Sequence, residues 1–375
     1  MLQSLEICNY RNLRHLTIEK LGWVNLMVGK NNTGKTSVLE AVGILAKRGD
    51  ISFLLELINH RGENYISSSQ YNSGRGNEIV RSISTLFTDR EMTFNRHDPL
   101  TVTGVEHDGH SEIRIALRLI RYLNEREQYD DEPLTVKKRV LVDEYYNEDE
   151  VEVGLEAKYN KATIIHSLNA FWRSNGRVVF GGPFVNFDFV RTNSLYRDAN
   201  GSLWDSVTLT ERERYVLQSL KLIEDDIDAL TFVNSDVSEV TERIATVRLK
   251  STNQKLPLRS MGDGINRILT IILAMVNCEN GYLLIDEFEN GLHYSVQEKL
   301  WEVIFYLAEK LNIQVFATTH SNDTIKAFGE VANSKPEYNN AQLIQLRNVK
   351  GEISAVLYST DDVEIAIETE YLDLR

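Results

Sequence analysis

The sequence predicts an α/β fold with a mixed sheet, an antiparallel β-rich subdomain and a helical lobe. Three observations predict it. Over residues 24–41 an apolar run leads into a glycine-containing loop and then into apolar residues at helical spacing. Over residues 281–287 a second apolar run ends in two carboxylates. Between them, over residues 111–159, the apolar period changes to two, the pattern of a half-exposed antiparallel sheet.

In chain order, residues 2–8 alternate enough for a strand, followed by a turn at Asn9-Tyr10-Arg11-Asn12 and a short strand at residues 16–18. No domain is expected ahead of them. Val24, Leu26, Met27 and Val28 form a buried strand, and Gly29-Lys30-Asn31-Asn32-Thr33-Gly34-Lys35-Thr36 follows, with Ser37 behind it. Strand, Gly-x-x-x-x-Gly-Lys-Thr and helix together make the context of a phosphate-binding P-loop. Gly29 and Gly34 permit the tight backbone that turns amides inward, and the helix N-terminus favours an anion. Lys35 can reach β- and γ-phosphates, and the Thr36 hydroxyl can hold Mg²⁺. Asn31 and Asn32 suit a loop because Asn tolerates left-handed backbone. Four fixed positions match by chance on the order of 1% of the time in a chain this long.

Residues 38–60 read as helix, broken near Arg48-Gly49-Asp50, with a further helix at residues 78–87. Ile113, Ile115, Leu117 and Leu119 share one strand face; strands at 136–146 and 151–159 are joined by Asn147-Glu148-Asp149-Glu150. The acidic stretch 125–132 reads as a solvated loop. Residues 178–190 read as a strand with a turn at Gly181-Gly182-Pro183, and the polar stretch 191–205 as the most mobile segment. A helix at 210–223, capped by Thr210, precedes a β-rich stretch at 229–250.

The carboxylates at 281–287 are Asp286, placed for a Mg²⁺ shell, and Glu287, placed to polarise a water that attacks a γ-phosphate. Before them, Arg259-Ser260-Met261-Gly262-Asp263-Gly264 opens an apolar helix. Ser and Gly at a helix N-terminus form an anion site, although in isolation the stretch reads as a simple cap. Residues 311–319 form a buried strand ending at His320-Ser321-Asn322; a hairpin at 342–346 and 353–358 and a helix ending near residue 372 complete the chain.

The 375 residues suffice for one large α/β domain in two lobes. Residues 1–50 and about 250–375 are expected to form the nucleotide-binding core, with 51–249 inserted between them. A net charge of −14 argues against a broad nucleic-acid-coating surface but leaves room for a local basic groove. Cys8 and Cys278 lie far apart, with no disulfide framework or Cys/His metal spacing, which fits a reducing cytosol. The longest apolar run, residues 268–276, is too short for a bilayer, so a soluble cytoplasmic protein with no membrane partner is expected.

The ordered set of P-loop, Ser260-x-Gly262, Asp286-Glu287 and His320 resembles the ABC-type ATPases. Asn-Tyr-Arg-Asn-Leu at the start and Leu-Ile-Asp-Glu-Phe-Glu-Asn-Gly-Leu-His at residues 284–293 are similar to the RecF/SMC-related branch, and closer still to the ATPase half of the OLD family. The resemblance implies ATP hydrolysis with Mg²⁺ in a head-to-tail homodimer or higher even oligomer. Ser260 and Gly262 of one protomer would close on the γ-phosphate held by the other's P-loop. His320 would contact that phosphate, and residues 289–293 would cross the interface. Gln70 is a weak candidate for the lobe-linking glutamine. The distance from Lys35 to Ser260 marks an insertion relative to transporter ATPases. OLD nucleases carry a C-terminal TOPRIM domain, for which the residues after His320 are too few. The expected function is an OLD-like ATPase regulating a separate effector, a nuclease in an anti-phage or toxin-type system. A RecF-like DNA-repair ATPase that binds nucleic acid is the alternative, and a transporter motor ranks third.

Overall fold

The computed structural model describes residues 1–65, 75–90, 98–106, 112–129, 132–139, 151–168, 185–192, 197–234, 243–338, 340–359 and 362. A hairpin opens the chain: β1 (Leu2–Tyr10) and β2 (Leu13–Ile18) are closed by Arg11 and Asn12. The third strand, β3 (Val24–Val28), is buried at every position, as a strand covered on both faces must be. Helices α1 (Lys35–Ala46), α2 (Ile51–His60) and α3 (Arg75–Ser84) follow. The expected break between the first two falls at Arg48 and Gly49, both in left-handed geometry, and Asp50 caps α2 by accepting from Phe53 N at 3.1 Å.

Next come β4 (Leu100–Glu106), β5 (Glu112–Tyr129), β6 (Glu132–Arg139), β7 (Glu152–Tyr159) and β8 (Ala162–Ser167). With β1 and β2 they form an antiparallel sheet ordered β2-β1-β4-β5-β7-β8, with β6 paired to β5. Ile115, Leu117 and Leu119 are buried on one face, as the period-two pattern requires. Residues 125–129 are strand rather than loop, because β5 continues through them in register with β6, Glu125 opposite Val136.

The chain continues through β9 (Phe187–Val190), α4 (Arg197–Asp205), α5 (Glu213–Ile223), β10 (Ile227–Asn234), β11 (Arg243–Leu249) and β12 (Lys255–Pro257). The polar stretch expected to be mobile therefore carries α4, anchored by buried Trp204 and by Asn200, whose Nδ2 donates to Thr270 Oγ1 at 2.9 Å. Thr210 does not cap α5; the capping position is Arg212, whose N–H donates to the Thr210 hydroxyl at 3.2 Å.

Then follow α6 (Asp263–Asn277), β13 (Tyr282–Ile285), α7 (Tyr294–Leu311), β14 (Gln314–Thr318), α8 (Asn322–Ser334), β15 (Ala341–Val349) and β16 (Glu352–Tyr358). The second large sheet is mixed, ordered β16-β15-β3-β14-β13-β9, parallel except for β16 against β15. Alternate residues of its strands feed two cores. Leu283, Ile285, Val315 and Ala317 face α6 and α7, while Met27, Leu284 and Phe316 join α1 and the antiparallel sheet. Helix α1 thus lies between two sheets, which is why nearly every residue on it is buried.

The sheets cut across the division expected from sequence. Strands β1 and β2 belong to the antiparallel sheet, β9 belongs to the mixed sheet, and α4 and α5 pack on α6. The turns at 147–150 and 181–183, Gln70 and the helix ending near residue 372 lie outside the described residues. No described helix is long and apolar enough to cross a membrane.

Candidate functional site

Three neighbouring parallel strands, β3, β14 and β13, end on one edge of the mixed sheet, where open α/β sheets place their ligands. The loop after β3 is tightly wound: Gly29 has φ +140°, Asn32 +62° and Gly34 +89°. A Cβ on Gly29 would stand 2.4 Å from the Leu346 carbonyl oxygen, and one on Gly34 2.7 Å from Leu13 Cδ2. Gly34 is the capping residue of α1 and no side chain occupies that role, so the amides of the first turn face the cleft. Thr33 Oγ1 donates to the Lys30 carbonyl at 2.8 Å, and Ser37 Oγ donates to Asn12 Oδ1 at 3.2 Å. Asn31, Asn32 and Lys30 are exposed at the loop's tip.

Lys35 curls back over this loop. Its Nζ donates to the carbonyls of Gly29 at 2.7 Å and Lys30 at 3.0 Å and lies 3.4 Å from His320 Nδ1. Burial pushes its ammonium down to about 8, against the pull of Asp286, Glu289 and Glu287. Thr36 Oγ1 donates to both oxygens of Asp286, at 3.1 and 3.2 Å. The structure therefore brings Lys35, Thr36, Asp286 and His320 together.

The neighbours that hold these groups were not legible from motifs. Thr318 Oγ1 donates to Asp286 Oδ1 at 2.8 Å and accepts from Glu287 N at 2.9 Å. Glu287 itself sits at φ +48°, a conformation non-glycine residues adopt at a cost. Asp286 N donates to the Val190 carbonyl at 2.9 Å, and Arg267 reaches the carbonyls of Asp286 and Arg191 at 3.1 and 2.8 Å. Glu289 accepts from His320 N at 2.8 Å and from Thr319 Oγ1 at 2.7 Å. A cleft of about 490 Å³ lies over the P-loop, bounded by residues 32–37, Asn12 and His320, with Arg11, Arg61, Asp89 and Arg90 also in its lining. The opening Asn-Tyr-Arg-Asn-Leu stretch was the available signal for Arg11.

Ser260 and Gly262 do not line this cleft. Both are exposed in the turn before α6, where Gly262 (φ +115°) has open space on its Cβ side. Elsewhere, Glu6, Cys8 and His15, unremarkable in sequence spacing, meet on a face of the antiparallel sheet, with His15 Nε2 2.9 Å from Glu6 Oε1.

The family described as "AAA domain, putative AbiEii toxin, Type IV TA system" matches residues 24–325. The chain belongs to that family. This AAA-domain chain is 24% identical over 387 aligned positions to a protein named ATP/GTP phosphatase from Helicobacter pylori, covering 99% of both chains. It is 41% identical over 76 residues to the DNA replication and repair protein RecF of Clostridioides difficile, covering 19% of this chain and 20% of that one. A solved SMC head, bound to the C-terminal winged-helix domain of ScpA, matches with a TM-score of 0.50 and 12% identity, covering 98% of this chain and 99% of that one. The fold is thus that of a P-loop ATPase of the AAA/ABC type, with the SMC head as a structural neighbour.

Proposed function

We propose that this chain is an OLD-like ABC-type ATPase that closes on Mg-ATP between two copies of itself and thereby regulates a separate effector, a nuclease of an anti-phage or toxin-type system. The Thr36–Asp286 hydrogen bond carries the ATP reading, because it joins the P-loop to the end of β13 across 250 positions of sequence. The family match and the name of the full-length relative support hydrolysis.

The chemistry follows from the residues. Lys35 exchanges the Gly29 and Lys30 carbonyls for β- and γ-phosphate oxygens, while the amides of the first turn of α1 hold the same anion. Two hard oxygen ligands about 3 Å apart fit adjacent corners of a Mg²⁺ octahedron, so Thr36 and Asp286 would hold the metal, which neutralises phosphate charge when bound. Glu287 takes a proton from the attacking water, and His320 meets the γ-phosphate beside Lys35. Ser260 and Gly262, exposed and away from their own cleft, are read as the groups that close on the γ-phosphate of a second copy. Purified chain should turn over ATP with Mg²⁺; absence of turnover together with absence of nucleotide binding would end this reading.

The effector is sought on the insertion of about residues 111–203, which carries strands β5–β8 and which ATP chemistry does not require. The family description, which names a toxin, supports this direction. Co-expression with the neighbouring gene, pull-down and an ATP-dependent DNA and RNA cleavage assay test it. Robust cleavage by the single chain would overturn it. The RecF similarity favours a second reading, a repair ATPase that binds DNA directly. Tight DNA binding that weakens steeply with salt, without a protein partner, would select that reading.

A further inference from the structure

We infer that Glu289 is a positioning residue for His320, tying the loop after β13 to the loop after β14 so that movement of one is transmitted to the other. The inference rests on the proposed role of His320 at the γ-phosphate. Both carboxylate oxygens of Glu289 are committed to the β14 loop: one accepts from the His320 amide at 2.8 Å, the other from the Thr319 hydroxyl at 2.7 Å. Thr319 is fully buried, and its hydroxyl also accepts from Ser321 N at 3.0 Å, so the tie extends to the capping residue of α8.

On its other side, Glu289 continues into Asn290, Gly291 and His293, all exposed. This loop packs on the start of α6, where a Cβ on Gly264 would stand 2.9 Å from the Gly291 carbonyl oxygen. A body pressing on residues 290–293 therefore pushes on a segment whose next inward residue holds the histidine backbone. His320 Nδ1 is 3.4 Å from Lys35 Nζ, so its placement decides whether both groups meet the same phosphate. Charge-assisted bonds to a carboxylate are the strong class, which suits a strut that must transmit displacement.

The experiment compares Glu289→Ala, Glu289→Gln, Thr319→Val, His320→Ala and the Glu289→Ala/His320→Ala pair in the full chain. The readouts are ATP turnover, affinity for a fluorescent ATP analogue, and amide exchange of the peptide spanning residues 314–321. Glu289→Ala should lower kcat about tenfold or more while leaving affinity within about threefold. Glu289→Gln keeps the acceptor for the His320 amide and should restore most of the rate; Thr319→Val should fall between the two. The pair should be no slower than His320→Ala alone, because both changes act through one group. Amide exchange should quicken in Glu289→Ala. Additive losses in the pair, or unchanged exchange, would overturn the inference. Quickened exchange with His320→Ala as active as wild type would instead leave the tie standing and overturn the role of the histidine.

Discussion

In the proposed site Lys35 and Glu287 do different work, and substitutions should separate them. Lys35 supplies the cation that the P-loop aims at phosphate, so Lys35→Ala should abolish nucleotide binding, read with a fluorescent ATP analogue; affinity within a few-fold of wild type would sink the assignment. Glu287→Gln keeps the Thr36–Asp286 pair, so it should bind Mg-ATP normally and hydrolyse it about 100-fold or more slowly. Unchanged single-turnover rates would make Glu287 structural. At this scale the sequence was informative where chemistry is encoded by local order: Gly29, Gly34, Lys35 and Thr36 are read by spacing alone. Thr318 and Glu289 were not, because they act on Asp286 and His320 through side-chain bonds made across neighbouring strands.

At the scale of elements, α1 carries a buried carboxylate. Glu40, 1% exposed, accepts from Tyr10 Oη at 2.8 Å and from Arg61 Nε at 2.9 Å, and is ion-paired with Arg11, whose Nε lies 2.8 Å away and donates to Tyr10 Oη at 3.1 Å. Glu40→Ala would leave Arg11 buried without this partner and should cost about 3–5 kcal/mol, read from the denaturant midpoint. A loss near zero would show that Glu63, 2.6 Å from Arg11, carries the pair alone. The antiparallel sheet carries a pH signature. His166 on β8 is buried with its Nε2 unpartnered, and burial holds its pKa below the ordinary 6.5. Below pH 6.5 the unfolded chain takes up a proton that the folded chain refuses, so stability is full above that pH and declines beneath it. His166→Gln should flatten this slope in urea titrations between pH 7 and 5. The strands of this sheet were legible because their apolar residues alternate. The continuation of β5 through 125–129 was not, since acidic composition hides pairing with β6.

For the whole molecule, the sequence revealed the two kinds of sheet but not which strands each would take. Strand β9, at the end of the stretch read as strand and turn, contributes only Phe187–Val190, yet it extends the mixed sheet and its Val190 carbonyl accepts from the Asp286 amide at 2.9 Å. Strands β1 and β2 precede the P-loop strand yet pair in the antiparallel sheet, while their turn returns Arg11 and Asn12 to the cleft. The same architecture separates the halves of the proposed site: Lys35 lies inside one cleft, while Ser260 lies exposed at the start of α6. That separation is what motivates the proposal of a site shared between two copies.

Mixing Lys35→Ala with Ser260→Arg tests this directly. Each variant alone places a lesion in both shared sites and should be inactive, and the Ser260→Arg chain should still bind ATP. In a head-to-tail pair of the two, one site carries neither lesion, so an equimolar mixture should recover about a quarter of wild-type turnover. Full activity of Ser260→Arg alone, or a mixture as silent as its components, would contradict the shared site.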